Sequence, residues 1–195
     1  SQVEITPQDP LLNSTLGIRS SGNLNGVTML GGPNFTGGIN IFAFDTETGD
    51  YLGSTTILLV PGTITPIKNI RKWLVIDNVL YLGIGTVDGG SILRWNGSTA
   101  DPFQFENVGI IDGQAAELAE HDGKLFVSTW PTIAGKATVF AGLWMSPEIP
   151  AGGLTSTNVN DWEKVWTVTD YEPDMLVAAT YGGGALKSFE GKLYW

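Results

Sequence analysis

The stretch "HDGKLFVSTW", residues 121–130, decides the fold. Asp122-Gly123 is a turn pair, and the residues after it alternate in the way of a half-buried strand. The same sentence recurs in "LNGVTMLGG" (24–32), "IDNVLYLGIG" (76–85) and "FEGKLYW" (189–195). Each is a small turn built on Asp, Asn or Gly, followed by alternating apolar residues. The counterparts of Leu193 are Leu125, Leu80 and Thr28, at intervals of 68, 45 and 52 residues. The longest interval holds an insertion-like stretch, "SPEIPAGGLTSTNVND" (146–161).

Three further elements recur in step with the turn. After it come "GGINIFAFD" (37–45), "GGSILRWNG" (89–97) and "AGLWMSPE" (141–148), each a small-residue start, an apolar strand and a polar stop. Next come "DYLGSTTILL" (50–59), "PFQFENVGII" (102–111) and "DWEKVWTV" (161–168). Just before the turn stand "IRKWLVID" (70–77), "GQAAELAEHD" (113–122) and "GGGALKSFE" (182–190). Four short strands per ~45–50 residues is the sequence signature of a propeller blade. One such sheet cannot cover both its faces, so neighbours must stack around an axis. The expected fold is all-β: a β-propeller with about three and a half four-stranded antiparallel blades. The blades are 11–60, 66–111, 113–168 and 175–195, the last only a first half. Half a blade cannot close a ring. The chain is therefore expected to be part of a six- to eight-bladed ring, completed by the rest of its own propeller in the same or another chain. "QAAELAEH" (114–121) has local helix propensity, but its place in the repeat makes it an innermost strand. The tryptophans at 73, 95, 130, 144, 162, 166 and 195 fall on or beside these strands, as large packing residues between sheets.

Composition agrees with this and excludes several functions. Among 195 residues, 26 are glycine and 15% are charged, against a usual ~25%. The formal net charge of −10 repels phosphate backbones and anionic lipid, so no nucleic-acid partner is expected. No apolar run approaches the ~20 residues of a membrane span. Without cysteine there are no disulfides or thiolate metal sites. Sequons at Asn13, Asn34 and Asn96, together with an opening that has neither Met nor an apolar leader, read as a secreted or extracytoplasmic protein, with those asparagines as glycosylation candidates.

The phrase "INIFAFDTETGDYLGS" (39–54) resembles a blade of quinoprotein-like propellers, and "DGKLFV" and "EGKLYW" resemble kelch-type turns. "GLWMSPEIPAGGLT" (142–155) and "YEPDMLVAATYGGGAL" (171–186) resemble large bacterial secreted propellers of uncharacterised role. The resemblance implies a fold and no particular chemistry. Propellers host hydrolases, lyases, oxidoreductases and pure binding proteins.

Chemistry would sit where loops gather at the channel face: 31–38, 61–66, 83–90, 110–114, 128–137 and 168–184. These carry Asp88, Asp112, Glu172 and Asp174, candidates for the acid and base or nucleophile of a polysaccharide hydrolase or lyase. Trp130 and Tyr171 are the ligand-binding candidates. Asp45, Glu47 and Asp50 in "DTETGD" offer a Ca²⁺ alternative, but the twelve-residue calcium-loop pattern is absent and a hairpin with Gly49 at positive φ is the stronger reading. No other cofactor is expected. His121, the single histidine, belongs to a turn on the opposite face, so neither a Ser-His-Asp set nor a histidine metal centre assembles. The leading functional expectation is a binding or scaffolding propeller with a glycan or protein ligand. The alternatives are the carboxylate-based hydrolase or lyase and a quinoprotein-like redox propeller.

Overall fold

The computed structural model describes residues 9–134 and 137–195. β1 (Ser20–Leu24), β2 (Val27–Pro33), β3 (Ile39–Asp45) and β4 (Tyr51–Ile57) form one antiparallel sheet in sequence order. β5 (Ile67–Ile76), β6 (Val79–Thr86), β7 (Gly90–Trp95) and β8 (Phe105–Ile111) form a second. The third is β9 (Gln114–His121), β10 (Lys124–Trp130), β13 (Gly142–Glu148) and β14 (Glu163–Thr167). Between β10 and β13 a small hairpin is inserted, β11 (Thr132–Ala134) and β12 (Ala137–Val139). A last hairpin joins β15 (Lys187–Phe189) to β16 (Lys192–Tyr194). The first strands of successive sheets are neighbours, β1 beside β5, β5 beside β9 and β9 beside β15. These are consecutive blades of a β-propeller, seen from the strand that lines its axis.

The repeated turn has one geometry throughout. Asn25 and Gly26, Asp77 and Asn78, Asp122 and Gly123, and Glu190 and Gly191 all have φ between 47° and 78°. Two consecutive positive φ values define the type I′ turn, whose twist matches that of the strands it joins. Asn, Asp and Gly reach this region at least cost, which explains why every copy of the motif is written with them.

The core lies between blades. Alternate residues of β6 face opposite neighbours. Leu80, Leu82 and Ile84 join Val27, Met29, Ile41, Ile70 and Trp73 against the first blade. Val79 and Tyr81 join Ile92, Val108, Leu118, Leu125, Val127 and Trp162 against the third. Every residue of β6 is therefore buried, as expected of a sheet covered on both faces. At roughly 1.5–3 kcal/mol per buried large side chain, this stacking dominates the stability of each blade. Trp73, Trp95 and Trp162 are buried between sheets, at 5%, 3% and 7% exposure, while Trp195 is 42% exposed.

The insertion-like stretch is a strap. It runs back over the second blade, where the Tyr81 hydroxyl accepts from Leu154 N at 2.9 Å and Arg94 Nη1 donates to Leu154 O at 3.0 Å. Glu106 accepts from Ser156 N at 2.6 Å. Burial pushes the Glu106 carboxyl up, yet this bond and one from Asn96 hold it below its ordinary value. The strap ends on Trp162, whose Nε1 donates to Val108 O at 2.8 Å.

Two short helices interrupt the all-β pattern, at places the blade boundaries took in. α1 (Pro10–Asn13) precedes β1, and α2 (Met175–Ala178) precedes β15. α1 is fixed by Asp9, which caps it through Leu11 N and accepts from Tyr51 and Ser54 of β4. The buried Asn40 of β3 completes the attachment by donating to Leu11 O, Ser14 Oγ and Thr15 Oγ1.

Candidate functional site

The four candidate carboxylates are each engaged separately. Asp112 Oδ1 accepts from Trp144 Nε1 at 3.0 Å and Oδ2 from Lys164 Nζ at 2.9 Å, which ties the loop after β8 to the third blade. Asp174 caps α2 through Leu176 N and Val177 N, and Glu172 accepts from Asp174 N at 3.0 Å. Asp88 stands exposed on the rim of a 90 Å³ pocket lined also by Thr63, Thr65, Ser91 and Asn107. The backbones of Asp88 and Asp112 lie near each other, since a Cβ on Gly89 would meet Asp112 carbonyl at 2.9 Å. The Asp112 carboxylate turns to Trp144 and Lys164, and no two of the four share a hydrogen-bond donor among the described residues.

The other candidates have structural surroundings of their own. Asp45 accepts from Glu47 N at 2.9 Å and Thr48 N at 2.8 Å, and these bonds, led by that from Thr48, lower its carboxyl below the usual value. Gly49 has φ 76°, and "DTETGD" forms the hairpin turn between β3 and β4. Among the described residues no three acidic or histidine side chains are grouped to hold an ion. His121 closes β9 beside its I′ turn. Its Nδ1 lies 3.0 Å from Ser188 Oγ on β15, so it joins the third blade to the last hairpin. Asn13 and Asn96 are exposed; Asn34 is half-buried and donates to Asn40.

A different site emerges at the axial end opposite the I′ turns. The segment between β14 and β15 folds into an open cleft of 400 Å³ lined by Trp166, Tyr171, Tyr181, Gly182, Gly184, Ala185 and Trp195. Tyr171 is 76% exposed, and Trp166 packs edge-on against Trp195 with centroids 4.4 Å apart. The Tyr171 and Tyr181 hydroxyls and the Trp166 indole N–H make no hydrogen bond among the described residues, and none of them is a buried orphan. Trp195 Nε1 donates to Gly183 O, which fixes the glycine segment. Gly183 has to be glycine: a Cβ there would stand 2.8 Å from Trp130 Cδ1 and strike Ala116.

Trp130, at the end of β10, lies behind that segment. Its ring carries the Arg71 guanidinium, with Cζ 3.5 Å from the ring centroid. Arg71 is the extra residue of a β-bulge, since Ile70 pairs with Ile84 and Lys72 with Gly83. A bulge re-aims a side chain, here toward the axis. Of the residues in these two clusters, Trp130 and Tyr171 were legible in the sequence. Trp166 and Trp195 belong to the tryptophan set read mainly as packing, with a ligand-stacking role open for one or two of its members, and Tyr181 and Arg71 were not singled out. For Arg71 a signal existed: it is one of only three arginines in an acidic chain.

Sheet order, antiparallel register and a shared I′ turn define the class, a β-propeller built of four-stranded blades. No protein-family model matches the chain, and no curated protein does. A solved structure similar in shape is that of an alpha-L-arabinofuranosidase from Clostridium thermocellum, with a TM-score of 0.47 and 14% identity. The match covers 89% of this chain and 57% of that one, so the chain spans little more than half the length of that structure. The fold assignment rests on the blades themselves.

Proposed function

We propose that the protein is a glycan-binding propeller acting outside the cytoplasm, with the cleft of Trp166, Tyr171, Tyr181 and Trp195 as its sugar site. One observation carries the reading: four aromatic rings converge on one open cleft, and the polar edges of three of them, Trp166, Tyr171 and Tyr181, are unengaged among the described residues. A sugar ring presents C–H faces that lie on aromatic rings and hydroxyls that take such edges. The carboxylates favour binding over hydrolysis, because Asp112, Glu172 and Asp174 hold structure rather than face one another. No helix among the described residues is long and apolar enough to cross a membrane.

A glycan array followed by calorimetric titration tests the reading. Expected are oligosaccharide ligands whose affinity falls about three- to tenfold in Tyr171→Ala, from the ~0.5–1.5 kcal/mol of one aromatic contact. Release of reducing ends from a bound oligosaccharide would transfer the protein to the hydrolase alternative.

A second reading concerns assembly. Among the described residues β16 has a partner only on its β15 side, and Phe189, Tyr194 and Trp195 beside it are exposed at 57%, 51% and 42%. An unpaired edge of this kind is a template for strand addition. The proposed occupant is a pair of strands from the remainder of the propeller, completing the fourth blade. Leu125, the counterpart of Leu193, turns its N–H outward to Ser146 of β13, so a Leu193→Pro variant, which cannot donate to an added strand, is expected to lose that association in analytical ultracentrifugation.

A further inference from the structure

Two lysines of this acidic protein, Lys72 and Lys164, are paired with carboxylates. On β5 itself, Lys72 Nζ lies 2.9 Å from Glu117 Oε2. Its neighbour Arg71 has no carboxylate partner among the described residues. Arg71 Nε is buried without a hydrogen bond among the described residues. Burial, and with it the charge of another cation, Arg19, pushes the guanidinium below its ordinary range. Ser20, next to Arg19, has a buried Oγ that also lacks a partner. A Cβ on Gly22 would stand 2.9 Å from the Trp73 ring, so alternate residues of β1, Ser20 among them, face the second blade. Arg71, floored by Trp130, thus stands on β5 with a second cation close enough to act on it and an orphaned hydroxyl on the neighbouring strand β1.

We propose that Arg71, Arg19 and Ser20 form a carboxylate site, and that the glycan bound by this propeller carries uronic acid. A guanidinium edge matches a planar carboxylate. The net charge of −10 penalises a doubly charged anion twice as much as a singly charged one, which selects carboxylate over phosphate. The sugar half of the inference rests on the proposed aromatic cleft. Trp130 connects the two: Arg71 covers its face, and Gly182 and Gly183, which reach the cleft, lie at its indole edge.

The test follows the Arg71 Nε–H and tryptophan indole resonances during titration with sodium glucuronate, glucose and sodium sulfate. Saturable shifts of the Arg71 and Trp130 signals with glucuronate, absent with glucose and weaker with sulfate, are expected. Arg71→Met should weaken glucuronate about tenfold or more and Arg19→Met less, since a charge-assisted bond is lost in the first and only a nearby charge in the second. Arg19 is exposed and precedes β1, so its variant keeps the test valid should Arg71→Met fail to fold. Tyr171→Ala should leave the glucuronate shifts intact while weakening neutral oligosaccharides. No glucuronate response, or one equal to that of sulfate, overturns the carboxylate site. Intact glucuronate binding in a protein that binds no oligosaccharide overturns the aromatic cleft and the glycan assignment instead.

Discussion

The packing of Trp162 on Gly109 gives the sharpest quantitative test of the blade stacking. Trp162 is 7% exposed, and its Nε1 donates to the carbonyl of Val108, the extra residue of a bulge in β8. A bulged residue is left out of the ladder, so the indole supplies the missing partner. Trp162→Ala removes a large buried ring and that bond, at a cost of about 3–5 kcal/mol. Gly109 faces the same ring: a Cβ there would lie 2.5 Å from Trp162 Cε2 and Nε1. Since φ of Gly109 is not positive, the clash is purely steric, and Gly109→Ala should cost roughly 1–3 kcal/mol by overpacking. With the ring already gone, the same methyl meets nothing and reduces chain entropy in the unfolded state. Gly109→Ala should then be neutral, or stabilising by about 0.5–1 kcal/mol. The expected coupling between the two sites is therefore about 1–4 kcal/mol. Urea denaturation of the four proteins, followed by tryptophan emission and far-UV circular dichroism, measures it. An equal cost of Gly109→Ala in both backgrounds would show that the ring does not set the spacing between the second and third blades.

Three further outcomes are expected. Asn78 holds φ 60° in its I′ turn, so Asn78→Gly should raise stability by a few tenths to about 1 kcal/mol, while Gly123→Val, at φ 73°, should lower it by ~1–2 kcal/mol; thermal melts check both. Burial raises the Asp9 carboxyl, but hydrogen bonds from Tyr51, Ser54 and Leu11 hold it, on balance, below its ordinary value of 3.8. A depressed carboxylate adds stability above its unfolded value and loses it as pH falls through the folded one. The gap between wild type and Asp9→Ala should accordingly be full at pH 7, about 1–3 kcal/mol, and close below roughly pH 4 in urea melts. His121→Ala breaks the bond to Ser188, so hydrogen exchange should quicken in residues 187–194 and stay unchanged in β5–β8.

The parts of the fold legible in the sequence are those that a backbone dihedral or a two-sided burial dictates locally. Two successive positive φ values favour Asn, Asp and Gly, so "NG", "DN" and "DG" announce their turns whatever surrounds them, while "EG", with Glu190 at φ 48°, is legible through its glycine and the repeat. β6 reads as an unbroken apolar run because neighbours cover both its faces. "QAAELAEH" has a helical composition, and its strand conformation follows from the pairing of Leu125 with Glu120 and Val127 with Leu118, which only the repeat could suggest. What the sequence hid depends on neighbours. The helices of four residues are too short to show a period. The β5 bulge that turns Arg71 inward exists only as a mismatch with β6. The cleft draws rings from 166, 171, 181 and 195, whose separation in sequence gives no hint of convergence. The strap was visible as an insertion, but its grip on Tyr81, Arg94 and Glu106 is tertiary.

The distribution of charge carries the functional argument further than any motif does. An acidic protein invites a search among its carboxylates, yet those are where this chain does its structural work. Asp9 holds α1, Asp45 shapes a hairpin, Glu106 anchors the strap, Asp112 bridges two blades and Asp174 caps α2. A carboxylate bound to backbone N–H groups gains little by meeting a ligand, because the bonds it would make must first be broken. The reverse holds for Arg71, whose like-charged neighbour and orphaned Nε leave it worse solvated than it would be in water. An anion arriving there relieves repulsion and supplies acceptors at once, and it needs no protein bond to break. The free energy available for recognition is therefore greatest where the sequence shows least, at two arginines among twenty acidic residues.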